Sequence, residues 1–166
     1  SSYEYPFAGG SCSTIGVSGL VSGGGWGYSC RYLGLACDSL IEVKLIDYRG
    51  CIITANSSIN SDLFWAYKGG GGGNFGVVIL MTFKLSPRVH KVTYFNIYYN
   101  NPSKESQIKF LDTWQNWIDS APNEINMKGS IVNSADDGIY IVCTGLLYDN
   151  PENLNTILNP VSLIDV

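Results

Sequence analysis

Histidine and charge are what this sequence has least of. Its 166 residues hold a single histidine, His90, and only 14% are Asp, Glu, Lys or Arg. An ordinary soluble domain carries about 25% charged residues. With 45% hydrophobic residues, this deficit argues against disorder and points to much covered surface. Excess positive charge is also lacking. Ten Lys and Arg against 14 Asp and Glu leave a net charge of −4, which argues against a nucleic-acid or anionic-membrane binder. No apolar run approaches the ~18 residues of a membrane-spanning helix. The opening SSYEYPFAGGSC has neither a basic stretch nor an apolar stretch and does not read as a signal peptide. It has no initiator Met either, so the chain is read as a piece of a longer protein.

Metal and triad chemistry find little support. The five cysteines (Cys12, Cys30, Cys37, Cys51, Cys143) form no C-x-x-C and no cluster at ligand spacing, so no zinc or other metal site is expected. Their odd number leaves at least one thiol outside any internal disulfide, and their modest frequency points to a reducing, cytoplasmic setting. His90 follows Ser86-Pro87-Arg88 at a strand end and reads as a surface or linker residue, not as a catalytic base.

What the sequence does have is glycine, 19 residues concentrated in two places: GGSCSTIGVSGLVSGGGWG over 9–27, and GGGGGNFG over 69–76. Between them, the alternation of Ile41, Val43 and Leu45 with Glu42 and Lys44 predicts a half-buried strand over 41–47. A turn at 48–50 and a second strand over 51–55 complete a β-hairpin. Residues 60–66 suit a short helix capped by Asn60 or Ser61, and 77–85 an apolar strand ended by Pro87. Beyond it, 94–99 reads as a strand. Ile108, Leu111, Trp114, Trp117 and Ile118 mark one face of a helix over 106–120 that packs on a sheet. Strands at 128–133 and 139–148 meet around Asp136-Asp137-Gly138, and Pro151 opens a last helix with Asn150 as its cap. The composition shifts near 87–91, so two domains are expected, 1–88 and 89–166, in an α+β fold.

Glycine runs can serve two ends. They let a backbone approach an anionic ligand and aim several N–H groups at it, or they simply build tight turns and bulges. No Gly-Lys-Ser/Thr follows either run, so neither is a phosphate loop of the Walker A kind. The span Gly23-Gly24-Gly25-Trp26-Gly27 is not a clean G-x-G-x-x-G. A buried, inert thiol is the ordinary reading of a free cysteine such as Cys12.

The order of these pieces is similar to that in the berberine-bridge-enzyme-like FAD-linked oxidases. Gly10-Ser11-Cys12-Ser13-Thr14-Ile15-Gly16-Val17-Ser18-Gly19, followed by Ser22-Gly23-Gly24-Gly25-Trp26-Gly27, resembles that family's flavin segment, G-x-C-P-T-V-G-x-G-G-H-x-x-G-G-G-x-G. Arg31-Tyr32-x-Gly34-Leu35-Ala36-x-Asp38, then Asp62-Leu63-Phe64-Trp65-Ala66, Gly69 to Gly73 and Asn74-Phe75-Gly76-Val77-Val78 continue the resemblance over about 7–87. Ser13 stands where the pattern has proline, and Leu20 where many members have histidine.

The resemblance implies the C-terminal part of a PCMH-type FAD-binding domain, followed by the start of an antiparallel-sheet-plus-helix substrate domain. It implies FAD as cofactor, with Cys12 as a covalent attachment point. It places Gly16, Ser22, Gly23, Gly24, Gly25 and Gly27 along the flavin or its phosphates, and Gly34, Leu35, Asp38 and Ile41 on the cleft wall. It places Gly76, Val77 and Val78 at the adenine side. Asp38 reads equally as a turn cap, and Trp26 as a core aromatic. The implied activity is hydride transfer from an alcohol, sugar or amine-type small molecule to flavin, with O2 or another electron acceptor, and the catalytic base is not assigned. The N- and C-terminal segments of the parent chain would then be partners of this one, which alone would be inactive. Eleven tyrosines and four tryptophans also suit a non-catalytic sugar-stacking module. An inactive structural fragment is the third reading.

Overall fold

The computed structural model describes residues 5–162, with the Ser162 side chain left aside. The chain divides into two compact units between Val89 and His90.

The first unit begins with three short helical pieces: α1 (Val17–Ser22), α2 (Cys30–Leu33) and a 3-10 turn (Ala36–Ser39). The glycine spacing gave no sign of them, because a helix this short has no apolar period to detect. Then come β1 (Leu40–Ile46), β2 (Ile52–Asn56), α3 (Ser61–Tyr67) and β3 (Val77–Phe83). The strands form an antiparallel sheet in the order β2-β1-β3. The hairpin turn is tied by Asp47, whose carboxylate accepts the N–H groups of Arg49 and Cys51 at 2.9 Å each. The Cys51 hydrogen bond, above all, holds the Asp47 pKa below its ordinary value.

Leu40, Val43, Leu45 and Ala55 fill the core with Val21, Ala36 and Tyr67. Ile41, expected on the buried face, is 47% exposed. A register shift between Leu40 and Glu42 inserts an extra residue and turns Ile41 outward, as a β-bulge does.

The second unit contains β4 (Thr93–Asn100), α4 (Lys104–Ser120), β5 (Ile125–Ser134), β6 (Gly138–Leu147), a 3-10 turn (Pro151–Asn153) and α5 (Leu154–Ser162). Its sheet runs β4-β6-β5, all antiparallel, with β6 central. The Ser103 hydroxyl caps α4 by accepting the Ser106 N–H at 3.1 Å. One sheet face carries the core, in which Phe95, Ile125, Met127, Ile141, Cys143 and Leu147 meet Phe110, Trp117, Leu158 and Val161.

The helix face differs in detail from the expected stripe. Phe110 is its deepest residue, whereas Ile108 and Leu111 are 60% and 45% exposed. Gly129 explains this: it leaves room for the Phe110 ring, whose Cζ would lie 2.9 Å from any Cβ there. Among the described residues no helix is long and apolar enough to cross a membrane.

Two measurements test this packing. The Trp117 indole N–H donates to the Ile157 carbonyl at 2.9 Å and ties α4 to α5, while the Trp114 indole nitrogen is buried with no partner. Trp117→Phe should cost about 1–2 kcal/mol in chemical denaturation, and Trp114→Phe less, since it removes an unsatisfied donor. Burial pushes the Cys143 thiol from 9.0 up to about 12. The folded state therefore keeps a proton that the unfolded state loses. Its contribution is complete below pH 9.0 and is lost as pH climbs toward about 12. Cys143→Ala should flatten the alkaline fall of Tm relative to wild type.

Candidate functional site

The two glycine segments of the first unit are held together by main-chain contacts. Cys12 is exposed and free, and the chain turns after it, with the Ile15 N–H reaching the Cys12 carbonyl at 3.4 Å. Gly16 stands at the start of α1 and Gly23 at its end. Gly24 and Gly25 take positive φ angles of 101° and 83°. Their carbonyls accept the N–H groups of Cys37 and Ala36 at 3.0 and 2.9 Å, which docks the segment onto the 3-10 turn.

The second segment leaves α3 at Tyr67. Gly70 N–H bonds the Ala66 carbonyl at 2.9 Å, and Gly71 N–H bonds the Ser22 carbonyl at 2.8 Å. Asn74 donates its side-chain N–H to the Gly70 carbonyl at 2.9 Å.

A hypothetical Cβ separates the glycines into two groups. At Gly25 it would lie 2.5 Å from the Ala36 Cβ, at Gly27 it would strike the Gly9 carbonyl, and at Gly76 the Ile46 carbonyl. At Gly34 it would lie 2.8 Å from the Asp38 carboxylate. These four glycines are required by the fold itself. Gly16 meets nothing within 4 Å, and Gly23 and Gly24 meet nothing closer than 3.7 Å, so these three present open backbone.

The remaining candidates are spread along the unit. Asp38 acts as a turn cap, its carboxylate accepting the Leu35 N–H at 2.8 Å. Leu35, Ile41 and Val77 are 38%, 47% and 68% exposed, and Val78 is half-buried. Trp26, expected in the core, is 46% exposed beside Tyr28. Ser22 is 1% exposed, which puts its side chain inside the unit.

The structure brings Ser22, Gly24, Leu35 and Asp38 near one another. It does not bring Ile41 near Gly76, Val77 and Val78: Val77 pairs with Ile46 at the far end of β1 from Ile41, five strand residues or ~16 Å away. A ligand touching both groups must be extended. Tyr67 escaped the sequence reading. A tyrosine before a glycine run carries no signal that separates it from any core aromatic.

In the second unit, the sheet face away from α4 is polar. Thr144 donates to the Asn96 side-chain oxygen at 2.7 Å, and Asn96 donates to the Tyr94 hydroxyl at 3.1 Å. Tyr94 and Tyr98 are 61% and 60% exposed there, and Lys128 pairs across from Thr144. Tyr99 points the other way, donating to the Val161 carbonyl at 3.0 Å.

Substitution distinguishes the two classes of glycine. Gly27→Ala should destabilise the first unit by roughly 3 kcal/mol or more, because backbone must move. Gly19→Ala lies within α1 with nothing near its Cβ, so it should be neutral or stabilise by about 0.5–1 kcal/mol. Urea denaturation of each variant decides.

Residues 1–56 match the FAD binding domain family model. Berberine bridge enzyme-like 9 of Arabidopsis thaliana is 34% identical over 154 residues, which are 92% of this chain and 29% of that protein. Among solved structures, BBE-like 1 of Physcomitrella patens superposes with a TM-score of 0.86 at 28% identity, covering 98% of this chain and 34% of its own. The glucooligosaccharide oxidase of Acremonium strictum, with its 6-S-cysteinyl, 8α-N1-histidyl FAD, superposes with a TM-score of 0.83 at 26% identity, covering 95% of this chain and 32% of its own. The chain thus spans about a third of the length of the proteins it matches. With 92% of the chain matched by the Arabidopsis relative and 98% by the Physcomitrella superposition, it belongs to the berberine-bridge-enzyme-like FAD-linked oxidoreductases.

Proposed function

We propose that the whole protein is an FAD-dependent oxidoreductase in which the first unit, 1–88, holds part of the cofactor and the second, 89–166, contributes to the substrate side. The observation that carries this reading is the exposed Cys12 thiol on a turn that leads directly into open glycine backbone at Gly16. A soft nucleophile in that position suits attachment to a flat electrophilic ring. The site fits the group in other respects. Gly16, Gly23 and Gly24 leave space beside the backbone for a close-lying ring. Exposed Leu35, Ile41 and Trp26 offer apolar surface. The spread from Ile41 to Gly76–Val78 along β1 suits an extended dinucleotide.

When bound, FAD supplies the two-electron acceptor for a hydride. This chain's residues hold and orient: Cys12 anchors, the open glycines make room, and Gly25, Gly27, Gly34 and Gly76 keep the backbone in place. Asp38 acts indirectly by fixing Leu35 through its N–H. In the second unit the Tyr94–Asn96–Thr144 network offers hydroxyl and amide partners to a hydroxylated or amine-bearing substrate. The second electron acceptor is O2 or a carrier. One observation favours the rival reading of a sugar-stacking module: Tyr94 and Tyr98 stand exposed in a row on β4. Trp114 and Trp117 do not join them, being turned to the helix side.

The test is the absorption spectrum of the full-length protein, followed by mass analysis of the peptide containing Cys12. A yellow protein whose Cys12 peptide carries a flavin mass, lost in Cys12→Ala, is the expected result. Yellow protein with an unmodified peptide would reduce Cys12 to a neighbour of the ring. Colourless full-length protein would sink the oxidoreductase reading.

A further inference from the structure

The open face of the second sheet carries a single charge. Odd-numbered residues of its strands fill the core, Phe95, Met127, Ile141 and Cys143 among them. Period two therefore puts the even-numbered residues of 94–100, 126–132 and 140–146 on the other face. That set contains no Asp or Glu, and Lys128 is its only ionised member. In a protein of net charge −4 this face is locally positive. Lys128 is exposed, and it makes no ion pair and no side-chain hydrogen bond among the described residues. It stands opposite Thr144, which stands opposite Asn96. The nearest acids along the hairpin are Glu124, four residues or about 13 Å away, and Asp137, roughly 20 Å away beyond the far end of β5.

One row nearer the hairpin turn on β4 is Tyr98, 60% exposed. It lines a cavity of about 440 Å³ with Asn100, Asn101, Asp137 and Tyr140. Phenol rings suit the flat apolar side of a sugar ring, and amides and a carboxylate suit its hydroxyls. From the Tyr98 backbone to that of Lys128 is two strand spacings across and two residues along, about 12 Å. A molecule of disaccharide size bridges that distance.

We propose that this face selects an acidic sugar: the ring rests on Tyr98 in the cavity, and a carboxylate reaches Lys128. The proposal rests on the reading of the second unit as the substrate side and narrows its substrate to one with a negative charge. The ammonium of Lys128 donates to the carboxylate as a charge-assisted hydrogen bond. Asp137 sets the polarity, since a carboxylate at the cavity end would meet a like charge. The rival role of Lys128 is to keep β5, an edge strand of this sheet, from pairing with another chain. That role needs the charge and no ligand.

The experiment is calorimetric titration of the full-length protein with cellobiose and with its analogue carrying a C6 carboxylate on the non-reducing ring. Wild type should bind the acid about tenfold more tightly than cellobiose, the factor one charge-assisted hydrogen bond supplies. Lys128→Met should bring the ratio within about twofold, while Lys128→Arg, which keeps the charge, should retain most of it. About 1 M sodium chloride should shrink the wild-type preference, because an exposed pair is screened. Tyr98→Ala should weaken both sugars alike. Equal affinities in wild type, failure of the acid to bind, or a preference that survives Lys128→Met overturns the proposal. So does a Lys128→Met protein whose only change is self-association, which assigns Lys128 to edge protection. Flavin content, read on the same samples, separates the two readings. Yellow protein without the charge preference defeats this inference alone. Colourless protein that keeps the preference defeats the oxidoreductase reading and leaves Lys128 as the selector of a binding module.

Discussion

Backbone approaching backbone with no side chain between is the constraint on which the first unit depends. Gly27 lies against the Gly9 carbonyl, Gly70 against the Ala66 carbonyl, and Gly76 against the Ile46 carbonyl. Each approach is open only to a residue without a Cβ. The freedom glycine loses is offset by hydrogen bonds made by glycines of the same segments: Ala36 to Gly25, Cys37 to Gly24, Gly71 to Ser22. A glycine-rich segment is therefore not a uniform ligand cradle. Part of it holds the unit together so that the other part can remain open.

The second unit solves a different problem with the same residue. Its sheet must accept two large rings from one side. Gly129 lies under Phe110, and Gly145 makes room for Phe95. Flat packing on that face leaves the opposite face to shorter, polar partners, and Asn96, Thr144 and Lys128 meet there across three strands. One face is thus specified by burial and the other by hydrogen bonding. Period-two alternation along β4 and β6 keeps the two sets apart.

Much of this was legible in the residues. The strands at 94–99 and 139–148 and the turn at Asp136-Asp137-Gly138 were read from residue type, because strand preference and turn chemistry are local; the start of β5 at Ile125 and the pairing of β4 with β6 were not. The bulge after Leu40 was not legible, since it is imposed by pairing with β3 and turns Ile41 outward. Nor was the choice of Phe110 over Ile108 and Leu111 as the buried helix residue, because that depends on a glycine 19 positions away. Within the candidate site, motif order singled out the two glycine segments. It could not tell Gly16, which is open, from Gly27, which is closed.

Pattern alone determined the α+β character, the hairpins, the amphipathic helix, the glycine-rich segments and the family they resemble. All of these are written in residue type and spacing. Only the tertiary structure decided which glycines face outward, that the Ser22 side chain is internal, and that Asp38 caps a turn. It alone turned Tyr94 and Tyr98 away from the core and Tyr99 toward it, and brought Gly71 to Ser22 from 49 residues away. The reason is physical. Period and turn preference act between near neighbours, whereas a close backbone approach exists only once distant segments share one volume.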